Sequence, residues 1–184
     1  MPLDISQVYQ PEADTYLLLD VARYEVKPGD RVLEIGTGSG LISRELALVT
    51  DVVATDINPH AALCVRGLGV DVVRGNLFAG IRGIFDLILF NPPYLPTQPE
   101  ERIEDWLEYA LDGGESGRVV IERFAADVEG VLAPRGRILL LISSLTGLTE
   151  VTNLFLRYGF ATWVAKEEII EDEVLYVLRI ISGS

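Results

Sequence analysis

The apolar residues of this chain fall into short continuous runs that alternate with longer stretches of helical spacing. The runs predict strands near 31–35, 52–55, 70–74, 85–90, 137–142, 160–165 and 173–180. The stretches predict helices near 13–23, 41–49, 59–66, 116–131 and 146–158. Pro134-Arg135-Gly136 is typical of a turn, and Gly159 of a helix end. Alternating strands and helices favour a doubly wound, mostly parallel α/β sheet, with ligands at the carboxyl ends of its strands.

A rigid tetrapeptide, Asn91-Pro92-Pro93-Tyr94, follows the predicted strand at 85–90. The prolines cannot donate backbone hydrogen bonds and have restricted φ angles, so the carbonyls of Asn91 and Pro92 should point outward. Together with the side-chain oxygen of Asn91, they would form acceptors for a planar –NH2 group, and Tyr94 would pack on its face. The plainer alternative is an ordinary turn after a strand.

A glycine loop joins an earlier strand to a helix. Its glycines are Gly36, Gly38 and Gly40. They follow Glu34 with the spacing E-x-G-x-G-x-G, and their missing side chains would let a ligand approach the backbone. The next strand ends in Asp56, which could accept hydrogen bonds from both hydroxyls of a ribose. A dinucleotide pattern would need a third glycine where Leu41 stands, and this departure favours S-adenosylmethionine, whose sulfonium needs no pyrophosphate cradle.

These motifs make the chain resemble the class I S-adenosylmethionine-dependent methyltransferases with an N-P-P-Y motif. Within that class it resembles the HemK-type protein-glutamine N5-methyltransferases of the short archaeal and eukaryotic branch. The matching stretches are Val8 to Leu19, Glu34 to Gly40, Thr55 to Pro59, Leu89 to Tyr94 and Gly113 to Arg118. The resemblance implies a Rossmann-like, seven-stranded sheet with an antiparallel last strand. We expect one domain over residues 1–184, with an active-site loop at about 92–114.

The same resemblance implies a binding mode for S-adenosylmethionine. The residues expected to bind it are Thr15, Glu34, Gly36, Gly38, Gly40, Asp56, Ile57, Asn76, Leu77 and Asn91. Glu34 and the glycine backbone would hold the methionine portion, and Thr15 would lie near its carboxylate. Asp56 would bind the ribose and Ile57 the adenine, with Asn76 and Leu77 near the adenine edge. Asn76 stands where the family commonly has an aspartate, so its contact would come from an amide.

Catalysis is expected from Asn91, Pro92, Pro93 and Tyr94, with Asn91, Pro92 and Tyr94 also binding the substrate. An amide nitrogen is a poor nucleophile, and the acceptors would orient it and stabilise its developing positive charge without a dedicated general base. The resemblance implies methylation of the glutamine in the Gly-Gly-Gln motif of a translation release factor. Adenine-N6 DNA methylation, lysine methylation and a nucleotide-binding module without methyl transfer stay open as alternatives.

Charge and composition restrict the kinds of binding partner that the protein can have. The 184 residues carry 15 basic and 28 acidic side chains, a net charge of −13, which disfavours a nucleic-acid partner. This acidic, lysine-poor composition fits a halophilic source, or simply an acidic soluble protein, and the resemblance to the short branch implies an archaeal-type enzyme. Without a long apolar run or signal peptide, a cytoplasmic protein with no membrane association is expected. One cysteine, Cys64, excludes an intrachain disulfide, and with His60, expected to be exposed, it offers no metal site.

Two segments suggest contacts with other proteins. Residues 95–114, which include acidic Glu100, Glu101 and Glu104, are expected to form the substrate-side wall. The apolar strand Val70–Arg74 is expected at a sheet edge, where either a helix, the amino-terminal segment or another chain would cover it. The resemblance implies a small zinc-binding activator protein in a heterodimer, paired through this strand.

Overall fold

The computed structural model describes residues 2–97 and 105–183. Its strands are β1 (Arg31–Ile35), β2 (Asp51–Asp56), β3 (Asp71–Arg74), β4 (Phe85–Phe90), β5 (Leu132–Ser143), β6 (Phe160–Ile170) and β7 (Glu173–Ser182). Its helices are α1 (Ala13–Glu25), α2 (Leu41–Leu46), α3 (Pro59–Gly67), α4 (Trp106–Tyr109), α5 (Val119–Asp127) and α6 (Leu148–Arg157), with 3-10 turns at Ile5–Gln7 and Val128–Val131. No helix in the described ranges is long and apolar enough to cross a bilayer.

The strands form one seven-stranded sheet in the order β3-β2-β1-β4-β5-β7-β6. The pairs β2–β3, β1–β2, β1–β4 and β4–β5 are parallel, whereas β7 runs antiparallel to both of its neighbours. The predicted fold class, including the antiparallel last strand, is therefore confirmed. From β1 the chain first moves toward one edge and then returns to β4 on the other side, which opens a crevice at the carboxyl ends of β1 and β4.

Two apolar clusters cover the two faces of the sheet. One contains Phe90, Phe124 and Phe155, and the rings of Phe90 and Phe124 stack at 4.8 Å between centroids. The other packs Leu17 and Leu18 of α1 against β1, β4 and β5. Central strands buried on both faces must be apolar at successive positions, which is why they appear in the sequence as continuous runs.

Several local predictions need correction. Pro134-Arg135-Gly136 is not a turn between elements but part of β5, where the pairing with β4 shifts register and Arg135 has φ 65°. The helix expected at 116–131 begins only at Val119, and its last turn is 3-10. The helix expected at 41–49 ends at Leu46. In each case pairing and packing, rather than the local sequence, determine the boundary.

His60 is also placed differently from the prediction. Its side chain is buried at the start of α3, and its Nδ1 accepts a hydrogen bond of 3.0 Å from the Asp4 backbone N–H. Asn58 caps the same helix and donates from its side chain to the Gln7 carbonyl at 2.6 Å. Both residues therefore fasten the amino-terminal segment to α3, a contact that no local pattern predicts.

The predicted edge strand does lie at a sheet edge. β3 pairs with β2 on one side and with no strand of the described residues on the other. Val70 just before it is buried, while Val72 and Val73 are half-buried. Helix α3 packs against β3 and covers one of its faces, but its outer backbone edge pairs with no strand in the described chain.

Candidate active site

A cleft of about 850 Å³ opens at the carboxyl ends of β1, β2 and β4. Nearly all of the predicted site residues line it, namely Thr15, Glu34, Gly36, Gly38, Asp56, Ile57, Asn76, Leu77, Asn91, Pro92, Pro93 and Tyr94. The parallel sheet therefore brings three sequence-distant motifs to one place. The roles assigned to the individual residues stay predictions.

The glycine loop is held against β2 by its own backbone. The N–H groups of Gly36 and Thr37 donate to the Thr55 carbonyl at 2.8 and 3.1 Å. Gly36 and Gly38 have φ angles of 67° and 53°, in the left-handed region that favours glycine. The turn thus keeps the loop backbone at the cleft surface without side chains in the way.

Gly40 differs from the other two glycines, because it does not belong to the cleft lining. A Cβ atom on Gly40 would lie 2.8 Å from Val65 Cγ2 and 3.0 Å from Leu68 Cδ1. The missing side chain therefore allows α2 to approach α3 closely. A ligand contact for Gly40 stays a prediction, while its packing role follows from these distances.

Glu34 is buried at the base of the cleft. It accepts hydrogen bonds from Thr37 Oγ1 at 2.9 Å and from Ser43 Oγ. Burial raises the pKa of Glu34 from 4.5 to about 7, although the hydrogen bonds from Ser43 and Thr37 oppose the shift. Near neutral pH this carboxyl group can therefore exchange a proton, and a cationic group bound beside it would favour its ionised form.

Asp56 ends β2 and is also buried. Its oxygens accept backbone N–H groups from Gly38 at 2.9 Å and from Asn58 at 2.8 Å. Burial raises the pKa of Asp56, and these backbone donors work against the shift. A carboxylate has about four acceptor positions, so lone pairs stay available for ribose hydroxyls.

The far end of the cleft carries the residues expected near adenine. The Asn76 side-chain oxygen accepts a hydrogen bond of 3.1 Å from the Arg123 guanidinium, which leaves its –NH2 group as a donor. Leu77 has φ 51°, an uncommon conformation for leucine that places it at the cleft wall. Arg123 on α5 was missed by the sequence reasoning, because nothing near it in sequence relates it to Asn76.

The N-P-P-Y segment lies where β4 ends, and its asparagine amide has defined surroundings. Asn91 Nδ2 donates to Asp14 Oδ2 at 2.9 Å. Asn91 Oδ1 is buried and accepts no hydrogen bond from any described residue. Pro92 is buried beside it, and burial raises the pKa of Tyr94, which keeps its hydroxyl protonated. The segment thus contains a buried acceptor oxygen that lacks a donor among the described residues.

Asp14 and Tyr9 are the other residues that the sequence reasoning missed. Tyr9 Oη donates to Asp14 Oδ2 at 3.0 Å, while Thr15 donates to Asp14 Oδ1 through its backbone N–H at 2.6 Å and through Oγ1 at 3.2 Å. Asp14 and Thr15 lie in the first turn of α1. The position of Asp14 next to the predicted Thr15 was the one available signal, but it did not indicate a contact with Asn91.

The expected substrate-side wall is partly described. Leu95 and Thr97 pair with the backbone of residues 111–114, and α4 supplies Trp106 and Tyr109 to the cleft. Glu100, Glu101 and Glu104 lie outside the described residues. Within the described part of the chain, no three histidine, cysteine or acidic side chains are grouped so as to hold a metal ion.

This sheet order, with a glycine loop after β1, an acidic residue at the end of β2 and N-P-P-Y after β4, defines a class I S-adenosylmethionine-dependent methyltransferase. The chain is 38% identical to a Methanocaldococcus jannaschii protein with a provisional name as a protein N5-glutamine methyltransferase, over 94% of this chain and 91% of that one. It is 34% identical to human methyltransferase HEMK2, over 95% and 89% of the two chains. The chain belongs to the HemK-type protein-glutamine N5-methyltransferase family.

A solved structure supports the same grouping. The E. cuniculi Mtq2–Trm112 complex, described as responsible for methylation of the translation termination factor eRF1, contains a chain that superposes with a TM-score of 0.81 at 30% identity. The match covers 96% of this chain and 99% of that one. A ribosomal protein L11 methylase from Lactobacillus delbrueckii, at 19% identity and a TM-score of 0.70, shares the fold alone. No protein-family model matches the sequence.

Proposed function

We propose that this protein transfers a methyl group from S-adenosylmethionine to the side-chain amide nitrogen of a glutamine, in the Gly-Gly-Gln motif of a translation release factor. The observation that carries the proposal is the buried Oδ1 of Asn91, a residue that lines the cleft; this oxygen accepts no hydrogen bond from the described residues. A buried acceptor without a donor is costly. A substrate –NH2 group would supply that donor.

The residues of the cleft fit the cofactor. Glu34 and the backbone of Gly36 and Gly38 would hold its methionine portion, with Thr15 beside them. Asp56 would accept the ribose hydroxyls, and Ile57, Asn76 and Leu77 would contact the adenine. When bound, S-adenosylmethionine supplies an electrophilic methyl group on a sulfonium.

The N-P-P-Y residues would act on the substrate amide. Asn91 Oδ1 and the Pro92 carbonyl accept its N–H groups and direct the nitrogen toward the methyl donor. The same acceptors stabilise the nitrogen as it gains positive charge, an interaction that is stronger in the transition state than in the ground state. The proton leaves afterwards from a cationic amide and needs no dedicated base. Pro93 makes the backbone rigid, and Tyr94 packs beside the amide.

Two alternative substrates carry similar target groups. Adenine in DNA presents a planar amino group, and a lysine presents an amine. The net charge of −13 opposes binding to a phosphate backbone, and relatives named as glutamine methyltransferases favour a protein amide over both.

The test is mass spectrometry of release factor incubated with enzyme and labelled S-adenosylmethionine. Methyl on the glutamine is expected, and methyl only on lysine or DNA would overturn the proposal. Asn91→Ala should slow transfer by roughly 10²–10³-fold, the scale for loss of one transition-state hydrogen-bonding group. The exposed Asn153 of α6 gives a matched control, and Asn153→Ala should leave the rate unchanged.

We also propose that the outer edge of β3 pairs with a strand of a small activator protein, which by family resemblance binds zinc. The support is the unpaired edge of a half-buried, valine-containing strand and the two-protein complex in which the E. cuniculi enzyme occurs. Val72→Asp should abolish co-purification while S-adenosylhomocysteine still raises the melting temperature. Ile169→Asp on the opposite edge strand, β6, is the control. A pair that survives Val72→Asp would remove this proposal.

A further inference from the structure

Asp14 occupies an unusual position for an acidic residue at the start of a helix. The residue is only 4% exposed and lines the cleft beside Asn91. Acidic residues are common in the first turn of a helix, where they interact with the helix dipole. That ordinary role would occupy one carboxylate oxygen. In Asp14 this oxygen is Oδ1, which accepts a hydrogen bond of 2.6 Å from the Thr15 backbone N–H.

The second oxygen of Asp14 points away from its own helix. Oδ2 accepts from Tyr9 Oη at 3.0 Å and from Asn91 Nδ2 at 2.9 Å. Asn91 lies 77 residues farther along the chain, at the end of β4. Burial raises the pKa of Tyr9, so its hydroxyl keeps the proton that it donates.

This contact determines which way the Asn91 amide faces. An ionised carboxylate only accepts hydrogen bonds, so it must meet the –NH2 end of the amide and not its oxygen. Rotation of the amide by half a turn would place Oδ1 against Asp14 Oδ2 and leave two acceptors facing each other. The observed orientation leaves Oδ1 without a donor among the described residues.

We propose that Asp14 is a positioning residue, which holds the Asn91 amide with its acceptor oxygen toward the methyl-accepting nitrogen, and that the Tyr9 hydroxyl steadies Asp14. This inference rests on the proposed function. It adds to that function the residue that orients Asn91 as a hydrogen-bond acceptor for the substrate. Asp14 does not touch the reacting atoms. It acts by making the site selective for a hydrogen-bond donor. The –NH2 group of a substrate amide is such a donor.

The first test is Asp14→Asn, a substitution of nearly equal shape. The Thr15 N–H group would retain the oxygen of the introduced amide, so its –NH2 group would face Asn91. The Asn91 amide must then turn and present a donor to the cleft. The turnover number should fall by roughly 10²–10³-fold, while the KM for S-adenosylmethionine changes only a few-fold. Asp20→Asn, on the exposed side of α1, is the matched control and should be inert.

The second test is the exchanged pair, Asp14→Asn combined with Asn91→Asp. The introduced amide would now donate to the introduced carboxylate, whose second oxygen again faces the cleft as an acceptor. We expect the pair to regain at least about 10-fold in turnover number over Asp14→Asn alone. A residue that merely supports the helix would give no such recovery. An exchanged pair no faster than Asp14→Asn, or full activity in Asp14→Asn, would overturn the proposal.

A third measurement separates this proposal from the proposed function. The side-chain –NH2 resonances of Asn91 can be assigned by their loss in Asn91→Asp and followed by NMR without any substrate. In the wild type they should exchange slowly with water, and Asp14→Asn should shift them strongly whereas Asp20→Asn should not. Unmodified glutamine with wild-type enzyme would overturn the proposed function alone. Unshifted resonances in Asp14→Asn would overturn the role of Asp14, whatever the substrate.

Discussion

Gly40 and Gly69 provide a comparison that separates backbone strain from packing. Both have φ +80°, so alanine at either position must adopt the left-handed conformation. At Gly69 a Cβ atom would meet nothing within 4 Å, whereas at Gly40 it would lie 2.8 Å from Val65 and 3.0 Å from Leu68. The difference between the two variants therefore measures the close approach of α2 and α3.

The magnitudes follow from these two terms. The left-handed conformation costs about 1–2 kcal/mol for a residue with Cβ, and the reduced entropy of the unfolded chain returns about 0.4–1 kcal/mol. Gly69→Ala should thus lower the free energy of unfolding by about 1 kcal/mol. Gly40→Ala adds roughly 1–3 kcal/mol of overpacking, for a total of about 2–4 kcal/mol. In a chain of this size the melting temperature should fall by about 2–4 °C in Gly69→Ala and by about 5–15 °C in Gly40→Ala.

The assay is urea unfolding together with thermal melting of each variant, followed by titration of the folded protein with S-adenosylhomocysteine. Affinity should fall little in Gly40→Ala once folded, because Gly40 lies behind the cleft lining. Equal losses of stability in the two variants would refute the packing argument. A large loss of affinity at unchanged stability would show instead that Gly40 is a direct ligand contact.

Two further predictions concern buried charge. The pKa of Glu34 is raised from 4.5 to about 7, so the folded protein holds this proton more tightly than the unfolded chain. Its contribution to the stability of the ligand-free protein is present below pH 4.5 and is lost as the pH rises toward 7. Urea unfolding at several pH values should show the stability difference between wild type and Glu34→Gln changing by on the order of 3 kcal/mol, and a constant difference would contradict the shift. Arg137 is buried and pairs with Glu25 at 3.1 Å and Asp30 at 2.6 Å, so Arg137→Met should cost about 3–5 kcal/mol in the same assay, because it removes the ion-pair partner of Asp30 and leaves Glu25 paired with Arg179 alone. Lys166→Ala, at an exposed ion pair, should cost roughly 0–1 kcal/mol, and similar losses for both variants would refute the distinction.

Much of the fold could be predicted from the chain alone. Central parallel strands are buried on both faces, so each needs an apolar residue at nearly every position and leaves a continuous run in the sequence. The short-range motifs were equally readable, because a glycine turn, an acidic strand end and a Pro-Pro segment depend on neighbouring residues. These features were enough to place the cleft, since parallel strands bring their carboxyl ends to one edge.

Other features depended on residues that are distant in sequence. Pro134 to Gly136 have turn chemistry, yet pairing with β4 keeps them within β5 as an irregularity. His60 is polar and begins a helix, yet the amino-terminal segment buries it. In both cases a tertiary contact outweighs a local preference of about 1 kcal/mol or less.

The sequence by itself determined the sheet, the cleft and the chemical types around it, because those follow from periodicity and local turns. Only the tertiary structure decided that Asp14 meets Asn91 and that Gly40 meets Val65. The reason is that an asparagine or a glycine is the same residue in the sequence whatever surrounds it in the fold. Its hydrogen-bond direction and its neighbours exist only after distant elements have packed together.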